Sequence, residues 1–145
     1  MERQKGHSKK NRGLTEIIEH GGKRYAEIIR KSLRVEKTTF FSPADSSMQL
    51  GLLAHKKGFK EIPHSHKKIK RTIIDLQQIL VIQRGKAAID FFNDEGTLFD
   101  TAILDKGDAV LLMNGVHSLR ALEDLQCISV KQGPFLGDEN DKVEI

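Results

Sequence analysis

Three of the six histidines, His64, His66 and His117, have placements that suit chemistry. His64 and His66 are separated by one residue, and on a strand such positions point to the same face about 6.6 Å apart. Two imidazoles at that separation can converge on one metal ion or one substrate. His117 follows an apolar run and an Asn-Gly turn, which can bring it back beside the pair. The alternative interpretation of the pair is two surface histidines in a lysine-rich loop.

A basic run surrounds the histidine pair. Between positions 56 and 71, Glu61 is the only acidic residue, and the basic residues are Lys56, Lys57, Lys60, Lys67, Lys68, Lys70 and Arg71. One interpretation is a solvated loop. The other is a cationic rim that attracts a small anionic ligand, with Lys67, Lys68, Lys70 and Arg71 as its candidate ligand-binding residues. Lysines bind phosphate groups as point charges, without the two-pronged geometry of arginine.

Charge and composition narrow the class of partner. The chain has 145 residues and a formal net charge of +4, and its excess of basic residues lies within the first twelve positions. The remainder is balanced, and the chain has no tryptophan and one tyrosine, Tyr25. Because nucleic-acid binders use basic faces and aromatic platforms, we expect no nucleic-acid partner.

The amino-acid composition also indicates where in the cell the protein is expected. No apolar run is long enough to span a membrane, and the N-terminal residues carry no stretch that resembles a signal peptide. Cys127 is the only cysteine, so the chain cannot form an internal disulfide. We therefore expect a cytoplasmic protein with no membrane partner.

The spacing of turn residues predicts an all-β fold. Residues 1–13 are polar and basic and are predicted to be a disordered arm, and residues 14–145 are predicted to be one domain. Gly21-Gly22 between two apolar-bearing runs predicts an N-terminal β-hairpin. Further turns separate short apolar segments by about 8–12 residues, as in barrels and sandwiches. The predicted strands are Thr15–His20, Lys23–Leu33, Met48–His55, Ile79–Arg84, Lys86–Phe92, Thr97–Leu104, Ala109–Met113 and Leu125–Lys131.

The glycines and histidines together resemble the two motifs of the cupin superfamily. The first is Gly58-x5-His64-x-His66 followed by a strand that ends at Gly85, and the second runs from Gly107-Asp108 through Gly115 to His117. The resemblance implies a single-domain double-stranded β-helix, the jelly-roll barrel. It also implies a divalent metal ion, Zn, Fe, Mn or Ni, bound by His64, His66, His117 and Gln78. The chain departs from the family pattern at two residues, because Gln78 stands where the family has glutamate and Met113 stands where it has proline. It also departs in two spacings, since the segment between His66 and Gln78 is longer than usual and only Val116 separates Gly115 from His117.

A narrower resemblance covers most of the chain after the arm. Its segments are Phe40-Phe41-Ser42-Pro43, Met48-Gln49-Leu50-Gly51, the run from Asp90 to Gly96, and Val130-Lys131-Gln132-Gly133-Pro134-Phe135 with Asp141-Lys142. These look like the WbuC-like cupins of bacterial polysaccharide and sugar-nucleotide biosynthesis. The resemblance implies a protein of such a pathway whose anionic ligand is a nucleotide sugar or a similar molecule. Exposed edges of the predicted N-terminal hairpin also favour a homodimer.

Three functions stay open at this point. In the first, His64, His66 and His117 hold a metal ion that acts on an anionic sugar-type ligand. In the second, the chain is a ligand-binding or assembly module without turnover. In the third, His64 or His66 is the catalytic base of a metal-free sugar isomerase or epimerase, with Tyr25 as a candidate acid. Whether the protein is an enzyme is therefore left undecided by the sequence.

Overall fold

The computed structural model describes residues 9–10 and 15–145. Its strands are β1 (Lys9–Lys10), β2 (Glu16–His20), β3 (Lys23–Ile29), β4 (Thr39–Phe40), β5 (Gly51–Leu52), β6 (Gln78–Arg84), β7 (Lys86–Phe92), β8 (Leu98–Asp105), β9 (Ala109–Leu112), β10 (Val116–Ala121) and β11 (Gln126–Lys131). The only helix in the described part of the chain, α1, is the short segment Asp138–Asp141. The all-β prediction is confirmed, while the jelly-roll barrel stays a prediction. The predicted arm lies outside the described residues except for Lys9–Lys10, which pair with β2.

The chain divides into two compact units. The first contains the residues up to Leu33 together with Leu76–Ile145, and the second is Arg34–Asp75. The predicted organisation of 14–145 as one domain stays a prediction. No helix of the described residues has the length and apolar character needed to cross a membrane.

Two antiparallel sheets form the first unit. One has the order β1-β2-β3-β9-β6-β11, and the other has the order β10-β7-β8. The turn at Gly21-Gly22 joins β2 to β3 as the sequence predicts, and the two glycines have φ angles of 58° and 74°. Two-residue hairpin turns of this kind require positive φ, which glycine adopts without steric cost.

One hydrophobic core joins the two sheets. Its buried members are Ile18, Tyr25, Ala26, Ile28, Leu80, Ile82, Ala87, Ile89, Phe91, Ala102, Leu104, Val110 and Leu112. On β6, β7, β8 and β9 these members are alternate residues, because successive side chains point to opposite faces of a sheet. The first unit is therefore a β-sandwich whose two sheets face each other through these side chains.

Ring contacts show which strands of the sandwich face each other. His20 on β2 stacks on Phe99 of β8, with ring centroids 4.4 Å apart. Tyr25 on β3 meets the edge of Phe91 on β7, with centroids 6.4 Å apart. These rings place Phe99 of β8 and Phe91 of β7 against residues of β2 and β3 across the core.

The second unit is built mainly from turns and loops. Strands β4 and β5 pair, and the Ser42 hydroxyl accepts a hydrogen bond from the Leu50 amide at 2.9 Å. The Ser47 hydroxyl donates to the Asp75 carboxylate, which ties the beginning of the unit to its end. Residues 53–75 contain no strand, so the expectation that His64 and His66 lie on a strand is wrong. Lysine-rich, weakly alternating sequence offers no apolar face that a sheet could bury.

Candidate functional site

His64 and His66 lie side by side in the second unit. Their ring centroids are 5.4 Å apart and the ring planes are inclined by 74°. The predicted proximity of the two imidazoles is therefore present, although the segment that carries them is irregular and contains no strand. Both residues belong to a run, positions 55–74, in which every residue is exposed.

The backbone fixes the orientation of the His64 ring. Its Nδ1 atom lies 2.9 Å from the carbonyl oxygen of Ile62 and 3.5 Å from Oε1 of Glu61. Because a carbonyl oxygen can only accept, Nδ1 must carry the proton and donate it. In the neutral ring the lone pair is then on Nε2, which is the arrangement found in histidines that ligate metals or act as bases.

The predicted ligand-binding residues surround this pair in sequence and are exposed. Lys67, Lys68 and Lys70 form no ion pair with another described residue, and Arg71 donates to the carbonyl oxygen of Ile69 at 3.5 Å. Exposed, unneutralised ammonium groups fit the rim for an anionic ligand and the solvated loop equally well.

His117 lies in the first unit, on β10. It is the register partner of Phe91 on β7, whose other partner is Asp100 on β8, so the three side chains form one row on the inner face of the small sheet. His117 is exposed at the end of this row, yet the surrounding protein removes enough water to lower its pKa, against a smaller effect of a backbone hydrogen bond with Gly115. Partial burial also raises the pKa of Asp100.

Gln78 begins β6 in the other sheet of the same unit. Its register partners are Leu112, a member of the core, and Lys131, so its side chain lies on the inner face. The side-chain Nε2 donates to Oγ of Ser129 at 2.8 Å, which leaves Oε1 as the acceptor atom. An amide oxygen is a neutral ligand, whereas the glutamate of the family pattern would add a negative charge.

Of the predicted metal ligands, the structure places His64 and His66 side by side in the second unit. In the first unit, His117 lies on the inner face of the small sheet and Gln78 on the inner face of the large sheet. No group of three or more His, Cys, Asp or Glu side chains suited to a metal ion occurs among residues 9–10 and 15–145.

No protein-family model, no curated protein and no solved structure matches this chain. The case for any function therefore depends on the residues themselves and their geometry.

Two glycines of the motifs have physical roles. Gly85 has a φ of 84°, and a Cβ atom there would lie 2.0 Å from the carbonyl oxygen of Asp124. Gly115 has a φ of 78°, and a Cβ atom there would lie 2.1 Å from Cε1 of Tyr25. Both positions therefore exclude a side chain by conformation and by space. The absence of a side chain at Gly115 leaves room for the ring of Tyr25, which is 2 % exposed and packs in the core. A tyrosine buried in this way is not placed to act as a solvent-accessible acid.

Nothing in the sequence indicated two polar contacts near Gln78. Ser129 on β11 accepts from Gln78, and Gln132, which follows β11, accepts a hydrogen bond from the backbone of Gln77 at 2.8 Å. Gln132 belongs to the Lys131-Gln132-Gly133-Pro134 segment, which supported a family resemblance without a chemical role.

Proposed function

We propose that this protein is a small cupin of a sugar-nucleotide or polysaccharide pathway that binds a divalent metal ion and an anionic sugar-type ligand. The observation that supports it most is the His64 ring, whose Nδ1 is held by the carbonyl of Ile62 while His66 lies 5.4 Å away between ring centroids. A histidine that ligates a metal donates from one ring nitrogen and binds through the other, and this contact leaves Nε2 for the metal.

The donors fit a divalent transition metal. Imidazole nitrogens suit Zn, Fe and Ni, and a neutral ring with Nε2 unprotonated is the form that ligates. When bound, such an ion supplies Lewis acidity to an oxygen of the ligand. Ile62 and Glu61 orient His64, and His66 supplies a second nitrogen. The resemblance to cupins assigns His117 and Gln78 as the remaining ligands, and variants of each test that assignment.

The anionic character of the ligand follows from the basic run. Lys67, Lys68, Lys70 and Arg71 are exposed in the same run as the histidine pair. Their field raises the local concentration of an anion and speeds its association. Because the Debye length shrinks from about 10 Å at 0.1 M salt to about 3 Å at 1 M, binding is expected to weaken as salt rises.

A metal-free isomerase or epimerase is the second candidate, and the orientation of His64 supports it as well. With Nδ1 donating to Ile62, Nε2 can accept a proton from the carbon beside a sugar carbonyl. Tyr25 is buried in the core, so this candidate would need its acid from another residue or from the ligand.

Metal analysis of purified protein separates the candidates. After expression with added zinc, iron, manganese and nickel, we expect about one equivalent of metal in the wild type and less than about a tenth in His64→Ala and His66→Ala. His55→Ala is the matched control, since His55 is exposed in the same run and stacks on Phe59 with centroids 3.9 Å apart. A metal-free wild type that still converts a nucleotide sugar would replace the first candidate by the second. A metal-bearing double variant at 64 and 66 would overturn the site.

A further inference from the structure

A tight turn in the second unit carries two stacked aromatic rings. The backbone N–H of Phe59 donates to the carbonyl oxygen of Lys56 at 3.1 Å, and Gly58, the third residue of the turn, has a φ of 93°. A positive φ at this position is typical of type II turns, and glycine adopts it without steric cost. Because the turn reverses the chain, His55 and Phe59 flank it and stack, with ring centroids 3.9 Å apart and ring planes inclined by 5°.

The Phe59 ring is open to solvent on the side away from the stack. Phe59 is 57 % exposed although one face of its ring lies against His55. A Cβ atom added at Gly58 would meet no other atom within 4 Å, so nothing else in the described chain lies against the turn at that point. An aromatic ring that is held flat and has an open face is a platform on which another flat ring can stack.

Three lysines adjoin this platform. Lys56 and Lys57 lie in the turn, and Lys60 follows it directly. All three are exposed, and none forms an ion pair with a residue that the structure describes. Glu61, the only acidic residue of the run, lies 3.5 Å from Nδ1 of His64. Because a closed four-residue turn keeps its ends within about 7 Å, the long lysine side chains can reach a ligand that lies on the ring.

We propose that this turn binds a nucleotide. The base stacks on the open face of Phe59, whose other face is supported by His55, and the three lysines neutralise the phosphate groups as point charges. A simple anion would leave the ring uncovered, and an uncharged aromatic molecule would leave the lysines without a counter-ion. A nucleotide satisfies both in one molecule.

The platform suits one nucleotide better than a nucleic acid. Proteins that bind single strands place several aromatic rings along a basic groove, so that successive bases stack. Within positions 55–74, Phe59 is the only phenylalanine, tyrosine or tryptophan. The run therefore offers a stacking place for one base.

This inference deepens the proposed function, on which it rests for the identification of the nucleotide as part of a nucleotide sugar. It assigns recognition of the base to Phe59, a contact that the histidine pair and the lysines after it do not supply. The turn and the histidine pair both belong to the second unit.

Isothermal titration calorimetry of the full chain tests the site with uridine diphosphate and adenosine diphosphate. Uridine and inorganic pyrophosphate serve as probes that carry only the base or only the charge. We expect the diphosphates to bind about tenfold or more tightly than either partial probe. Phe59→Leu keeps an apolar side chain but removes the flat ring, so it should weaken nucleotide binding about tenfold or more and leave pyrophosphate binding unchanged. Phe59→Tyr keeps the ring and should keep the affinity.

Two further variants separate charge from stacking. The double variant Lys56→Gln/Lys57→Gln should weaken nucleotides and pyrophosphate alike, because it removes charge and leaves the ring. Phe135→Leu is the matched control, since it makes the same substitution at an exposed phenylalanine of the first unit, and it should bind every probe as the wild type does.

Three results would overturn the proposal: no binding of either nucleoside diphosphate, unchanged nucleotide affinity in Phe59→Leu, or pyrophosphate affinity equal to that of the nucleotides. The last result would mean that charge alone accounts for binding. A single-stranded oligonucleotide that binds more tightly than the diphosphates, and loses affinity in Phe59→Leu, would assign the platform to nucleic acid instead. Failure of the proposed function appears separately, in the metal content of the His64 and His66 variants, which leave the ring stack intact.

Discussion

The guanidinium of Arg120 on β10 donates two hydrogen bonds to the carboxylate of Asp90 on β7, from Nε at 2.6 Å and from Nη2 at 2.9 Å. Thr101 on β8 adds a third hydrogen bond, from its hydroxyl to Asp90 at 2.7 Å. These contacts, chiefly the hydrogen bond from Arg120 and then that from Thr101, lower the pKa of Asp90. One buried carboxylate thus links the three strands of the small sheet.

Removal of Arg120 is expected to change how stability depends on pH. Asp90 has a lower pKa in the folded protein than in the unfolded chain, so its ionised form stabilises the fold above a pH of about 4. That contribution is lost as the pH falls through the folded pKa. Arg120→Gln should therefore be less stable than the wild type at pH 7, with a difference that shrinks below about pH 4.

Urea denaturation at pH 7, 5 and 3 measures this difference. Lys142→Gln is the control, since it breaks the exposed pair with Asp138 at 3.4 Å, and its effect should stay within about 0.5 kcal/mol. A difference between Arg120→Gln and the wild type that is constant at every pH would contradict the role assigned to Asp90.

Substitution of Asp108 is expected to be severely destabilising. Its carboxylate accepts from the backbone amides of Lys31 and Asp105, both at 2.8 Å, and from Nη1 of Arg30 at 3.2 Å. Asp108→Ala leaves these donors without an acceptor, and we expect a loss of about 2–4 kcal/mol in the free energy of unfolding. Asp108→Asn retains one oxygen and should lose less. Equal losses in the two variants would show that the hydrogen bonds are not what matters.

A methyl group at Gly115 should cost more than one at Gly96. Both glycines have nearly the same positive φ, 78° and 79°, so both substitutions carry a conformational cost from that angle. Only Gly115 meets the Tyr25 ring, whereas a Cβ at Gly96 meets nothing within 4 Å. We expect Gly115→Ala to lose about 1–3 kcal/mol more than Gly96→Ala in chemical denaturation. If the two variants have the same free energy of unfolding, the Tyr25 ring moves aside at no cost and this prediction is wrong.

A carboxylate in place of Gln78 tests the family assignment of that position. Gln78→Glu should tighten metal binding about tenfold or more if this side chain is a ligand, because it adds a negative charge to the donor set. Gln83→Glu places the same carboxylate farther along β6, where Gln83 pairs with Gln126, and should leave the metal affinity as it is. Competition with a chromogenic chelator provides the measurement. Equal affinities in both variants and the wild type would exclude Gln78 from the metal site.

Cys127 is expected to react slowly. It packs against the core, and burial raises the pKa of its thiol. Since the thiolate is the nucleophile, alkylation by iodoacetamide at pH 8 should be slower in the folded protein than in urea. Mass spectrometry follows the reaction, and equal rates in the two conditions would contradict the packing of this side chain.

Local signals in the sequence predicted most of the strands. Glycine pairs and Asn-Gly or Gly-Asp turns mark where β2, β7, β8 and β9 begin or end, because positive φ is a local requirement. No local signal predicted the contacts of Arg120 with Asp90 and of Asp108 with Arg30, since each joins residues far apart in the chain. They depend on strand order, which short-range patterns do not encode.

For the candidate site too, the sequence predicted local features and missed those that depend on the fold. The spacing of His64 and His66 predicted two neighbouring rings, and the rings are neighbours, although the strand expected to carry them is absent. An irregular segment carries them instead, in which the Ile62 carbonyl orients the His64 ring. The contact of Gln78 with Ser129 depends on the pairing of β6 with β11, which no short-range pattern in the sequence predicts.

Strand β9 is inserted between β3 and β6, although it follows both in the chain. During synthesis on the ribosome, β3 and β6 therefore emerge with no direct partner in each other, and they can join one sheet only after Leu112 has left the exit tunnel. Non-local pairing of this kind slows folding, because the entropy of closing long loops must be overcome first. Until β9 has been made, the nascent chain therefore exposes one open edge of β3 and leaves β6 without either of its partners, and unpaired strand edges of this kind are prone to association with other chains.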